Sequence, residues 1–599
     1  MPFLNPFKKY DVEHFKDLVL VPLDQAPARH PSVVAENQRR QSIRRASLPE
    51  SEQTKVGAAE ANTLEKGRST SSDNTIGGQF TVQQLREEVE ADIAASGHDS
   101  AYDRKSKVIN KAIQDIGMGR YQWELFSLAG FGWLADNLWL QGVALTLPSF
   151  TAEYGVSETN VRFTTLSLFL GLCLGASFWG TISDVIGRRP AFNLTLFITA
   201  VFGTAVGGTS TWVQACALYA ALGCGVGGNL PVDGALFLEF LPFANGNLLT
   251  LLSVWWPFGQ LLGSLIAWGF LTNYSCTDGS GSPLPSCSSV DAGAACCTKD
   301  SNMGWRYLNY TMGAFTFFMF ICRFFLFHLF ESPKFLLSKG RQREAVAAVY
   351  GIAYHNGCKT WLSEDILDEI GGKSQGGEKQ GLTAKEVIMR QAEKFSTQRI
   401  KPLFGYKRLG INTGLLWFIW TAIGMGYPLF NAFLPQYLSE SGGESKSVST
   451  TYRDYAITSI VGCPGSIIAC LTVDIKYVGR KGTMAIATLL TGIFLFLFTE
   501  SANGSFQLAF SCLVALFQNV MYGVLYAYTP ETFPAPNRGT GTGIASCFNR
   551  IAGLCAPLIG IYGALENPKV PIYVSGGLML SAFIAMVLLP IETRGKQTL

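Results

Sequence analysis

From residue 126 to residue 590, apolar runs of roughly twenty residues recur, each the length an α-helix needs to cross the hydrocarbon core of a bilayer. Such runs leave few folds open. With no water in the bilayer core, every backbone N–H and C=O must be satisfied internally, so a chain patterned this way forms a helix bundle. Twelve runs can be counted, at about 126–148, 161–181, 190–210, 212–238, 247–271, 305–330, 409–437, 454–473, 482–501, 505–528, 541–562 and 571–590. Only 15% of the residues are charged and 48% are hydrophobic, where soluble domains carry about 25% charge. The expected fold class is therefore an all-α membrane protein with twelve transmembrane helices. Several runs are less apolar than an isolated membrane helix needs, which suits helices lining an aqueous path.

Lys and Arg set the expected orientation. With the N-terminus inside, the inner loops hold Arg188, Arg189, the basic stretch 331–408, Lys476, Arg480, Lys481, Arg538, Arg594 and Lys596, while the opposite loops are nearly bare. Both termini are then cytosolic, in the plasma membrane or an endomembrane such as the vacuole. Residues 1–105 read as a disordered cytosolic tail too polar to bury a core, with no apolar signal segment at its start. Within it, Arg39-Arg40-Gln-Ser42 and Arg44-Arg45-Ala-Ser47 offer Ser42 and Ser47 to a basophilic kinase, or form a plain solvated basic segment. Residues 81–95 have the pattern of a short capped helix. Val108, Ile109, Ala112, Ile113 and Ile116 share one helical face, expected to lie on the inner membrane surface. The remaining divisions are a six-helix half at 106–330, a cytosolic linker at 331–408 with helical stretches near 341–353 and 383–396, a second half at 409–590 and a tail at 591–599.

The outer loop before the sixth run holds Cys276, Cys287, Cys296 and Cys297. In an oxidising compartment these form one or two disulfides, with three full pairings open. Asn273, Asn309 and Asn503 begin glycosylation sequons on that side, whereas the sequon at Asn193 falls inside a span and stays bare. A net charge of +3 makes no case for nucleic acid. No Walker loop, His cluster or Cys-x-x-Cys is present, so neither an ATP-driven machine, an enzyme, a metal site nor a cofactor is expected.

Three pairs of marks recur six spans apart. Asp184…Gly187-Arg188 and Asp474…Gly479-Arg480 follow spans 2 and 8; Glu239-Phe-Leu-Pro242 and Pro530-Glu531 close spans 4 and 10; Glu331-Ser-Pro333 and Pro590-Ile-Glu592 follow spans 6 and 12. The third pair is closer in sequence than the other two, because the cysteine-rich loop exists only in the first half. Parallel six-helix repeats with a binding site between them describe one large class of secondary transporter.

Gly180-xxx-Asp184-xx-Gly187-Arg188-Arg189 resembles the signature loop of the major facilitator superfamily, and Glu331-Ser-Pro-Lys-Phe-Leu336 and Pro590-Ile-Glu-Thr-Arg-Gly595 resemble sugar-porter marks. Gly117-Met-Gly-Arg120-Tyr-Gln-Trp123 and Tyr528-Thr-Pro-Glu531 are similar to the synaptic-vesicle-protein-related branch. The resemblance covers about 107–599 and implies a two-half fold that moves a small solute by alternating access, as a monomer. Departures are visible. Tyr219 stands where many relatives place an arginine, and Asn229 follows Gly227-Gly228 where phosphate-transporting relatives have an aspartate.

Asp136, near the middle of span 1, costs about 2.5–3.5 kcal/mol to insert as an ion, so it needs a partner, water or a proton. Proton coupling or substrate contact is one reading, a structural ion pair the other. Asn137 and Gln141 extend its face. Asp233 in span 4 is a second candidate for protonation. Arg550 in span 11 needs an acid or an anionic substrate, whereas Arg323 is expected to snorkel from the inner end of span 6. Gln260, Asn431, Gln518 and Asn519, with Trp255, Trp256, Trp417, Trp420, Tyr427 and Tyr522, are candidate lining residues for a flat or polyhydroxylated organic solute. The expected function is a proton-coupled symporter or antiporter of a sugar or organic anion. The alternative is a non-transporting sensor or trafficking protein on the same scaffold. Asp184, Gly187, Arg188, Arg189 and Glu239, with their counterparts Asp474, Arg480, Glu531 and Arg538, read as an inner gate. In it Arg188 or Arg189 meets Glu239 and Asp184 reaches span 11.

Overall fold

The computed structural model describes residues 12–23, 81–96, 100–242, 248–278, 284–291, 294–327, 329–372, 389, 400–439, 447–473, 475, 478–501, 503–533, 538–564, 567 and 569–593. Ser42, Ser47, Asp474, the side chain of Arg538 and nearly all of the predicted helix 383–396 lie outside them.

Among the described residues the spans run in order as Arg120–Tyr154, Phe163–Ile186, Arg188–Val206, Trp212–Phe240, Trp255–Tyr274 and Gly304–Ile321 in the first half. In the second they are Lys407–Asn431, Val448–Gly462 continued by Pro464–Thr472, Gly479–Glu500, Gly504–Thr532, Arg538–Gly563 and Val570–Leu588. Ten are long and apolar enough to cross a membrane on composition alone. Spans 1 and 5 fall short of that test and carry the polar residues Asp136, Asn137, Gln141 and Gln260. Span 5 starts later than expected, after a separate short helix at Leu248–Leu252. Span 6 ends in a π-turn, Cys322–Leu326.

Small residues set the closest approach. Gly171 and Gly175 of span 2 face Ala220 and Cys224 of span 4, while Gly223 and Gly227 of span 4 face Leu168 and Leu172 of span 2. A Cβ at any of the four would collide with a backbone carbonyl opposite, so the two helices touch backbone to backbone. The principal contacts between the halves are span 5 on span 8 and span 2 on span 11.

A helical platform covers the linker end of the first half. It comprises Val12–Val19, Val82–Ser96, Ala101–Ile116, Pro333–Ser338, Gln342–His355 and Glu364–Gly371. Within residues 1–105, read as a disordered tail, the expected helix near 81–95 is present and Val12–Val19 adds one that was not expected. Val12–Val19 packs on Gln342–His355, and the chain beyond it pairs with the linker through Thr360 N–H to Val19 O (2.9 Å) and Val21 N–H to Thr360 O (3.0 Å). Lys111 meets Glu88 and Asp92 at 3.1 and 3.3 Å, and Lys105 meets Asp368 at 2.9 Å. The stretch 106–116 is also corrected. Its apolar face does not lie on the membrane surface: Val108, Ile109, Ala112, Ile113 and Ile116 are buried in one core with Leu85, Val89, Val346, Trp361 and Leu367.

At the opposite end, Cys276 pairs with Cys297 and Cys287 with Cys296, one of the three pairings left open. Asn273 and Asn503 are exposed. Asn309 is not a possible glycan acceptor: it is fully buried, accepts from the Tyr219 hydroxyl at 3.1 Å and donates to Trp305 O at 2.8 Å.

Candidate functional site

A cavity of about 140 Å³ lies between the two halves. Spans 1, 2, 4 and 5 supply Asp136, Asn137, Phe169, Cys173, Leu230, Trp256 and Gln260; spans 7, 10 and 11 supply Tyr427, Asn519, Tyr522, Tyr526, Asn549 and Arg550. The helical spacing that puts Asp136, Asn137 and Leu140 on one face of span 1 aims them here. Of the expected polar candidates, five line the cavity: Asp136, Asn137, Gln260, Asn519 and Arg550.

Asp136 is 3% exposed. Its Oδ1 accepts from Asn229 Nδ2 at 2.9 Å, while Oδ2 has no hydrogen-bond partner. Asn229 is thus the holder of Asp136, a role its sequence departure did not disclose. Gln260 Nε2 spans the halves, donating to Tyr427 OH at 2.9 Å and to Asn137 Oδ1 at 3.3 Å. Ser264 and Ser459 meet at 2.7 Å just beyond it. The aromatic wall is built by stacking: Trp256 lies 4.8 Å from Trp133 and 4.9 Å from Tyr526, and Tyr427 meets Tyr522 edge-on at 5.3 Å. Such apolar walls with a few convergent polar groups are the usual form of a small-molecule site.

Other candidates sit elsewhere. Asn431 and Gln518 bond each other at 2.8 Å, and Gln141 is buried one turn beyond Asn137 in span 1. Trp417 and Trp420 give their indole N–H to Gly541 O and Thr529 Oγ1, and Trp255 packs on Phe126 and Phe131. Asp233 is paired with Arg323 at 2.6 Å, both side chains fully buried. Arg323 also donates to Leu128 O (2.8 Å) and Phe192 O (2.9 Å) and stacks on the Phe192 ring. It does not snorkel, and Asp233, paired with it, is not among the residues lining the cavity. Gly132 of span 1 leaves the room this pair occupies.

At the linker end the two halves repeat one device. Arg188 Nη2 bridges Asp184 (2.6 Å) and Glu239 (3.4 Å), and its Nη1 reaches Ser183 Oγ at 2.8 Å. Arg480 pairs with Glu531 in the other half. Glu331 accepts the backbone N–H of Arg188 (3.0 Å) and Arg189 (3.3 Å), as Glu592 accepts those of Arg480 and Lys481 (3.2 Å each). A carboxylate thus caps the start of spans 3 and 9, where orphan N–H groups and the helix dipole favour negative charge. Gly187 and Gly479, at φ +115° and +62°, turn the chain into those helices.

Sequence reasoning passed over Arg162, in the short turn between spans 1 and 2. It is 5% exposed, donates to Gly560 O and, at 3.3 Å, to Gln436 Oε1, and lies 4.7 Å from the centre of the Phe433 ring. All three belong to the second half, so Arg162 ties the halves together at the disulfide end. Tyr452 OH, bonded to Leu145 O at 3.0 Å, adds a second tie. A lone cation in an otherwise bare loop was the available signal.

Comparison with known proteins agrees with this geometry. Residues 126–475 and 455–599 match the Major Facilitator Superfamily. The chain is 42% identical over 503 residues to MFS siderochrome iron transporter 1 of Ceriporiopsis subvermispora, covering 84% of this chain and 93% of that protein. It is 25% identical over 513 residues to the synaptic vesicle 2-related protein of Rattus norvegicus, covering 82% of each. The proton:xylose symporter XylE bound to 6-bromo-6-deoxy-D-glucose shares the fold at 18% identity and a TM-score of 0.57, over 80% of this chain and 98% of that one. Paired halves, repeated arginine–glutamate marks and a cavity between them are therefore those of a multi-pass membrane transporter, not an enzyme, and the chain belongs to the major facilitator superfamily, related to its synaptic vesicle 2-related branch.

Proposed function

We propose that this transporter moves a small organic solute, a sugar or an organic anion, by alternating access, and that protons drive it. The observation that carries the reading is Asp136, a buried carboxylate at the seam of the halves with one oxygen held by Asn229 and the other without a partner. An intramembrane acid left half-satisfied is a functional group by default. Coupling follows if Asp136 takes its proton when the cavity faces one side and gives it up on the other. A cavity of about 140 Å³ is smaller than the roughly 300–1,000 Å³ of sites for drug-sized ligands, so the solute is compact. Relatives and neighbours carry siderochrome iron and xylose in their names, and both kinds of solute belong in the test. By the distribution of Lys and Arg, the platform end is cytosolic and the disulfide end outside or lumenal, with Asn273 and Asn503 as glycan acceptors.

The test is uptake into proteoliposomes under an imposed pH gradient. The gradient should accelerate uptake by the native protein, and Asp136→Asn should keep solute exchange while losing that acceleration. Uptake indifferent to the gradient overturns the coupling. No uptake of any solute, together with a cellular phenotype that survives Asp136→Asn but not removal of the N-terminal segment, would favour a sensor or trafficking protein.

A further inference from the structure

Two other deeply placed arginines are held by carboxylates. Arg323 has Asp233 at 2.6 Å and two carbonyls within 2.9 Å, and Arg306 has Glu153 at 2.7 Å. Arg550 is different. Its guanidinium reaches from span 11 across the seam to two backbone carbonyls of the other half, Leu172 O at 3.4 Å and Gly227 O at 3.5 Å. Both contacts are at the far limit for N–H···O, whose usual length is about 2.9–3.0 Å. Among the described residues no carboxylate lies within ion-pair distance of it. Asp136 lines the same cavity without forming an ion pair with it.

A guanidinium presents five donors in a planar fork that matches a carboxylate bidentately. Arg550 has spent two of them on long contacts, and its side chain lines the cavity. Beside it stand flat apolar surfaces: Phe169, Trp256, Tyr522 and Tyr526. The volume of about 140 Å³ is small beside the roughly 300–1,000 Å³ of sites for drug-sized ligands. We propose that the solute is a compact, planar organic carboxylate whose carboxylate is gripped by Arg550 and whose ring lies against the aromatic wall. The proposal rests on the transport reading above and narrows its solute from a sugar or organic anion to the anion. Binding also has a conformational consequence. A carboxylate that draws the guanidinium away from Leu172 O and Gly227 O exchanges two contacts between the halves for contacts to the solute.

Equilibrium binding to the purified full-length protein, with no pH gradient, tests the charge preference apart from the coupling. The probes are benzoate, 2-furoate and cyclohexanecarboxylate, each beside its neutral amide, with benzylammonium and D-xylose as the cationic and sugar controls. A carboxylate should bind roughly tenfold or more tighter than its amide, the factor worth about 1.4 kcal/mol, and planar acids should exceed cyclohexanecarboxylate. Arg550→Gln should abolish the difference between acid and amide, and Arg550→Lys, which keeps the charge but not the fork, should restore part of it in a protein that elutes as a single peak. The proposal is overturned if no acid outbinds its amide, if D-xylose or benzylammonium binds best, or if Arg550→Gln retains the preference. Any of these results leaves gradient-driven uptake free to hold, and a gradient-independent carrier could still pass the binding test.

Discussion

Replacing Asp233 by Asn separates a structural acid from a coupling one. The Asp233–Arg323 contact is 2.6 Å with both side chains fully buried. Charge centres about 4 Å apart attract by about 4 kcal/mol at an effective dielectric of about 20, and desolvating the two ions costs several kcal/mol each. The intact pair therefore adds little or no net stability. The single substitution removes the attraction and leaves Arg323 charged among Leu128, Phe192 and Gly132, at a cost of about 3–5 kcal/mol. Replacing both, Asp233→Leu with Arg323→Met, removes the desolvation along with the attraction and should recover most of that loss. Thermal unfolding of detergent-purified protein, followed by size-exclusion fluorescence, reads both: a large drop for Asp233→Asn and a small one for the double variant. The reasoning fails if Asp233→Asn unfolds like the native protein while losing gradient-driven uptake, because Asp233 would then be the titrating group. It fails equally if the double variant is no better than the single.

Three further outcomes follow from contacts outside the cavity. Arg162→Ala removes two hydrogen bonds from a charged donor, about 1.5–3 kcal/mol each, and a ring contact worth about 0.5–2 kcal/mol; the disulfide end should open more often, read as faster reaction of an Asn431→Cys thiol with an impermeant reagent from that side. His355 packs beside Tyr121, Phe330 and Tyr354, and burial pushes its imidazole below the ordinary 6.5. The folded state then binds its proton less readily than the unfolded state, so its contribution is present above about pH 6.5 and lost as pH falls through the folded value; the native protein's melting temperature should drop in that window more than that of His355→Phe. Deleting residues 1–23 uncovers the face of Gln342–His355 on which Val12–Val19 packs and breaks the pairing at Thr360. Protease cleavage within 342–372 should accelerate, while ligand binding in the cavity stays unchanged.

What the sequence disclosed and what it hid follow from the range of the interactions concerned. Hydropathy is local, so the spans and the repeat of Gly187-Arg188 with Gly479-Arg480 were legible. Asp136 in span 1 and Gln260 in span 5, singled out in the sequence, both line the cavity. Periodicity revealed the apolar face of 106–116 but not what covers it. A bilayer and a bundle of linker helices are equally apolar, and only the tertiary structure puts Val346, Trp361 and Leu367 there. The sequon at Asn309 is a three-residue pattern with no knowledge of depth, and the helix around it turns the asparagine inward toward Tyr219. Arg323 looked able to reach the interface because its partner is 90 residues away, on a helix whose facing side the sequence does not fix. Arg162 was hidden for the same reason, its acceptors lying 274 and 398 residues along the chain. The last three misses, Asn309, Arg323 and Arg162, share one cause, since each concerned how a polar group inside the bundle is satisfied. Buried charge is tolerated only where partners converge from several spans, so Arg323 and Arg306, whose partners converge, read as scaffold. Asp136 and Arg550, whose partners fall short, both line the cavity between the halves in which the proposed solute would bind.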